Sequence, residues 1–216
     1  METIIDLPQA VAWESGMGEP KDQNRIQPVD QQDVTGKTGR LLGQVRAKLG
    51  FVPNFFRVLA DAPVALEGYH NFCEALAGGA LDGRIREQIA LAVAESNLCD
   101  YCLSAHAFLG QRAGLTPDEI ANAIRARAAD PKTDAILKLA RNIVVQRGEI
   151  SDSDLQQARA AGLRDGEIIE TVANVALNIF MNYVSHAARL PIDFPPDELR
   201  QKSTQRGESD AQRREV

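Results

Sequence analysis

Residues 83–113 read GRIREQIALAVAESNLCDYCLSAHAFLGQRA, and this stretch decides the fold. From Ile85 to Ala94 the run is apolar almost all the way round a helical wheel, the mark of a helix buried on every side. Ser96-Asn97 breaks the run and offers a cap for a second helix beginning near Leu98. Gly114 stands where that second helix should stop. Two consecutive helices, the first wholly buried, require further helices to cover them.

The rest of the chain supplies them. Apolar residues recur at helical spacing near 40–48, 62–77, 117–128, 131–147, 151–161 and 166–189, as they do over 83–96 and 98–113. Thr116-Pro117-Asp118-Glu119 has the spacing of a capping box, and Asp130-Pro131 puts a cap before a proline at the first helical position. Gly148 marks another helix end. No short segment alternates like a half-buried strand, so the expectation is an all-α protein. Gly114–Ile120 and Gly162–Ile168 echo each other as two uses of one turn chemistry.

This helical domain is assigned to residues 39–196. Residues 1–38 are rich in Gln, Asp, Gly and Pro and read as an extended N-terminal arm, with Trp13 available to pin it to a neighbouring subunit. Residues 197–216 hold five acids and five bases and read as a frayed charged tail.

The 216 residues carry a net charge of −6, which argues against a nucleic-acid partner because phosphate contacts need a basic face. No apolar run approaches the ~20 residues of a membrane span, and the N-terminus lacks the pattern of a signal peptide. A cytoplasmic protein is expected. Its three cysteines, Cys73, Cys99 and Cys102, are too few for a disulfide framework, so they pose a chemical question.

Cys99 is expected in the first turn of the second helix, where amide N–H groups and the helix dipole favour thiolate. At 100° per residue, Cys99, Cys102 and His106 fall at about 0°, 300° and 340°, one narrow stripe. His106 follows Cys102 by one turn and can serve it as base or counter-ion. Gly110 and Ala113 continue the stripe, and their small size predicts open space above the thiols. Glu87 lies among apolar residues on the first helix and needs a partner; pairing of the two helices would bring it to His106. Cys73 reads as structural, with Phe72 and Leu76 turned inward; His70 reads as exposed or capping, and His186 as structural, with the site or a subunit interface as its alternative. Phe51, Phe55 and Phe108 are candidates to line an entrance. Three uses fit these residues: a thiol-dependent peroxidase, a disulfide oxidoreductase or redox sensor, and a non-catalytic zinc-binding assembly protein with Glu87 or Cys73 as fourth ligand.

The spacing Glu87, eleven residues, Cys99-x-x-Cys102, three residues, His106 resembles the active-site pattern of the alkylhydroperoxidase D-like proteins in the carboxymuconolactone decarboxylase superfamily. Gly50–Leu59, Asn174–Tyr183 and Ile192–Pro195 extend the likeness over roughly 40–196, toward the branch of peroxidase-related enzymes. The resemblance implies an all-helical subunit in a trimer or hexamer and reduction of hydroperoxides at the cysteine pair. It makes Cys102 peroxidatic, Cys99 resolving, and His106 with Glu87 the proton relay. A dithiol or protein reductant would restore the pair, and no cofactor or resident metal is called for. Alkylhydroperoxidase D carries a further His between its cysteines, where this chain has Tyr101.

Overall fold

The computed structural model describes residues 24–194. Among them are α1 (Gly36–Leu49), α2 (Asn54–Leu59), α3 (Pro63–Ala77), α4 (Gly83–Ser96), α5 (Asp100–Arg112), α6 (Pro117–Ile124), α7 (Pro131–Val145), α8 (Asp152–Ala160) and α9 (Asp165–Ala188). No strand occurs among the described residues, and the all-α expectation is met. Trp13 and the tail 197–216 lie outside the described residues.

Helix α4 is the axle, packed against α5, α6, α7 and α9. Each residue from Ile89 to Ala94 is at most 2% exposed, as a helix apolar on all faces must be. On one side it shares a core with Ile120, Leu137 and Ala140 of α6 and α7. On the other, Phe55, Leu66, Cys102 and Met181 of α2, α3, α5 and α9 close a second core.

Helices α4 and α5 are joined by only Asn97-Leu98-Cys99, whose three N–H groups bond back to the carbonyls of Val93, Glu95 and Ala94. The reversal needs Leu98 in the left-handed region at φ 54°, at a cost of about 1 kcal/mol for a residue with a Cβ. Leu98 is 79% exposed, so this side chain serves the turn and not the core.

Several boundaries differ from the sequence reading. Helix α2 was not expected: six residues after Pro53 are too few to show a period. Helix α1 begins at Gly36, so the described end of the arm is shorter than residue 38 implied. Arg25 and Val29 of that arm donate their N–H groups to the carbonyls of Ala188 and Arg57. Helix α6 stops at Ile124, short of 128, and the chain turns at Ala126 with φ 53°. Phe72 is 38% exposed where it was expected inward, while Leu76 is buried.

The expected caps are present at Thr116/Glu119 and at Asp130. At the start of α9, Glu167 accepts from Lys132 Nζ at 2.7 Å and from the Arg164 N–H at 2.9 Å. These bonds, the Lys132 one first, hold its carboxyl down from 4.5 to about 2. The stabilisation this gives is fully present above about pH 4.5 and is lost as pH falls through about 2. Glu167→Gln should therefore flatten the acid-side loss of stability over that window, measured as urea midpoint against pH.

Candidate active site

The cysteine pair is fixed by the start of α5. Cys99 is itself the N-cap, at φ −98° and ψ 91°, and its sulfur accepts from the Cys102 N–H at 3.4 Å. The cap is thus Cys99, one residue after the expected start near Leu98. Asn97 turns its amide to Asn182 Oδ1 at 2.7 Å instead. His186 Nε2 lies 3.0 Å from the Asn97 carbonyl oxygen, so α9 braces the turn from two positions.

The two sulfurs are 2.7 Å apart, and Cys102 Sγ is 3.6 Å from Ser185 Oγ. The Cys102 thiol, then its backbone N–H, stabilise charge on Cys99 and lower its pKa. The same contact, with burial, pushes Cys102 up; Ser185 and Asn182 work the other way and favour charge on Cys102 Sγ. At Cys99 the Cys102 side chain is thus the larger cause and the helix-start N–H the smaller.

His106 is one turn beyond Cys102, 7% exposed, with Nδ1 2.8 Å from Glu87 Oε2. Pairing of α4 and α5 supplies the partner that Glu87 was expected to need. His106 Nε2 is buried with no hydrogen-bond partner. Among the described residues no group of three or more His, Cys, Asp or Glu side chains is arranged to hold a metal ion.

A cavity of about 410 Å³ opens beside this pair. Glu87, Ala105, His106 and Met181 line it, and Cys73 and Tyr69 face it from α3. Burial pushes the Cys73 thiol up to about 11, leaving it protonated at neutral pH. Neither sulfur lines the cavity; Cys102 stands one turn before the lining residue His106, and Ser185 one turn after the lining residue Met181.

Here the structure corrects the sequence reading. The thiols were expected on a reachable flank, yet Cys99 is 1% exposed and Cys102 0%. Helix α9 crosses α5 at that point and packs Met181 and Ala188 into the same cluster as the thiols. Nor is there open space over Gly110, where a Cβ would meet Leu115 Cδ1 at 3.0 Å. Of the three phenylalanines proposed for an entrance, Phe55 lines the cavity. Phe51 and Phe108 instead pack on each other and on Phe194, with centroids 5.6–6.3 Å apart.

Tyr101, between the cysteines, is 4% exposed and accepts from the Phe55 N–H at 3.1 Å. Its ring packs on Phe194, and burial raises its pKa. It ties α2 to α5, and its hydroxyl also pairs with Asp193. Sequence reasoning passed over Asn174, Asn178 and Ser185, all buried, and gave Asn182 no role. With Asn182 they form a polar stripe at helical spacing along an otherwise apolar helix, and that pattern was the available signal.

Residues 63–146 match the model of the carboxymuconolactone decarboxylase family. The chain carries a domain of that family. The matched span holds Glu87, Cys99, Cys102 and His106 but stops before α9. No curated protein matches the chain. The structure is similar to that of a peroxidase-related protein from Ralstonia eutropha described as an alkylhydroperoxidase AhpD core. That match has 24% identity and a TM-score of 0.72, over 84% of this chain and 96% of that one. A peroxidase-related protein from a Silicibacter species aligns with 23% identity and a TM-score of 0.70, over 82% and 95% of the two chains. A variant of the debrominase Bmp8 bound to 2,3,4-tribromopyrrole aligns with 15% identity and a TM-score of 0.70, over 86% and 98%. One fold thus occurs in proteins with different activities in their names, and the carboxymuconolactone decarboxylase domain alone does not select a reaction.

Proposed function

We propose that this protein is a thiol-dependent peroxidase that reduces hydroperoxides at Cys99 and Cys102. The observation that carries the reading is a pair of adjacent buried sulfurs one helical turn from the His106–Glu87 pair, which itself lines a cavity. As peroxide arrives, the Cys99 thiolate takes the Cys102 proton and the Cys102 thiolate attacks the distal oxygen. The O–O bond breaks, Cys102 becomes a sulfenic acid, and the alkoxide leaves as an alcohol with a proton delivered through His106. Cys99 then attacks the sulfenic sulfur, water leaves, and an intramolecular disulfide remains. A dithiol returns the pair by two exchange steps and becomes a disulfide itself.

Burial of both sulfurs favours small substrates over a protein disulfide, since only a molecule entering the cavity comes near them. A reducing compartment such as the cytoplasm suits the three free thiols. Ile169, Val172, Phe180 and Tyr183 form an exposed stripe on α9, 38–67% accessible, and this supports assembly with further copies of the chain.

Reduced protein given one equivalent of tert-butyl hydroperoxide should lose two of its three titratable thiols, with Cys73 retained. Loss of none within the time of a free-thiol control would overturn the assignment.

A further inference from the structure

The charges around the cavity are unevenly satisfied. Glu74 at its rim is 2.6 Å from Lys48 Nζ, and Glu87 is engaged by His106. Arg86 also lines the cavity, and it forms no ion pair among the described residues. Its Nε is buried and has no hydrogen-bond partner among the described residues. A half-buried guanidinium with an orphaned donor is costly unless an anion meets it. Most of the remaining wall is apolar, from Leu49, Phe55, Phe56, Leu76, Leu177 and Met181. A volume of about 410 Å³ suits an organic molecule of moderate size, far larger than hydrogen peroxide.

We infer that the cavity binds an amphipathic organic carboxylate, its carboxylate on the Arg86 guanidinium and its apolar body along Phe55, Phe56 and Met181. Resting on the peroxidase reading, this makes the preferred substrates hydroperoxides that also carry a carboxylate. The anion is held by the planar fork of Arg86. The apolar body fills the cavity, and the hydroperoxide group extends to the wall formed by His106 and Met181. His106 Nε2, the other orphaned nitrogen in the cavity wall, is available to it there.

Calorimetric titration of reduced protein with decanoate and with decanol tests the binding claim in the absence of any peroxide. Decanoate should bind about tenfold tighter than decanol, a difference of about 1.4 kcal/mol. Arg86→Gln should remove that preference and Arg86→Lys should retain part of it. The comparison of the two ligands on the unaltered protein stands even if a variant fails to fold. Equal binding of decanoate and decanol overturns the inference, as does a preference that survives Arg86→Gln. If tert-butyl hydroperoxide is reduced while the two ligands bind alike, the inference fails and the peroxidase reading stands. If decanoate binds through Arg86 and no hydroperoxide is consumed, the reverse holds.

Discussion

Cys102→Ser should abolish hydroperoxide consumption, by ~10³-fold or more, while Cys99→Ser should retain a single turnover that ends in a stable sulfenic acid. The asymmetry follows from position. The Cys99 sulfur, whose pKa is lowered by the Cys102 thiol, is occupied by the Cys102 N–H and thiol. Cys102 is one turn from Ala105 and His106, which line the cavity, and touches Ser185, one turn from the lining residue Met181. Cys102 is therefore the sulfur assigned to meet the peroxide. Without Cys99 the sulfenic acid has no neighbour to condense with, and a sulfenic-acid trap should label it. Helical circular dichroism and the urea midpoint of each variant separate lost chemistry from lost fold. Trapping of the sulfenic acid only in Cys102→Ser would exchange the two roles; an unimpaired rate in that variant would remove the pair from the mechanism.

Much of the fold was legible because its strongest signals are local. Caps at Thr116 and Asp130 and the wholly apolar face count of α4 are set by residues within a turn or two of each other. Helix α2 escaped because its stability is tertiary: Phe55 is 0% exposed and its N–H is held by Tyr101, 46 residues away in sequence. The spacing of Glu87, Cys99, Cys102 and His106 was equally local, and the pairing of α4 with α5 brought His106 to Glu87.

Accessibility was not legible, and the reason is geometric. A helical wheel shows which residues share a stripe on α5 but not which helix covers the stripe. Here α9 covers it, through Met181, Ser185 and Ala188, none of which adjoins the cysteines in sequence. Small residues at Gly110 and Ala113 suggested open space, yet at Gly110 the absence of a Cβ is what admits Leu115 and Ile120. Smallness marks close approach as often as it marks a void. The same limit concealed Arg86, whose meaning depends on a cavity walled by six separate helices, α1, α2, α3, α4, α5 and α9.

His106→Ala should lower the rate of thiol oxidation by about 10²-fold, the range of a lost general acid–base group. Its Nδ1 is oriented by Glu87 at 2.8 Å, leaving the unpartnered Nε2 to exchange a proton at the wall of the cavity. Removing the ring leaves a hole of imidazole size next to an existing cavity, so added imidazole should restore part of the rate in this variant and none in wild type. A purely structural histidine predicts a different pattern, a lowered urea midpoint with a rate that imidazole does not recover. Glu87→Gln keeps an acceptor for Nδ1 but removes a carboxylate from beside the ring, and should give a smaller loss than His106→Ala. If Glu87→Gln instead matches His106→Ala in rate while the urea midpoint is unchanged, the carboxylate charge and not the orientation of the ring is the larger contribution.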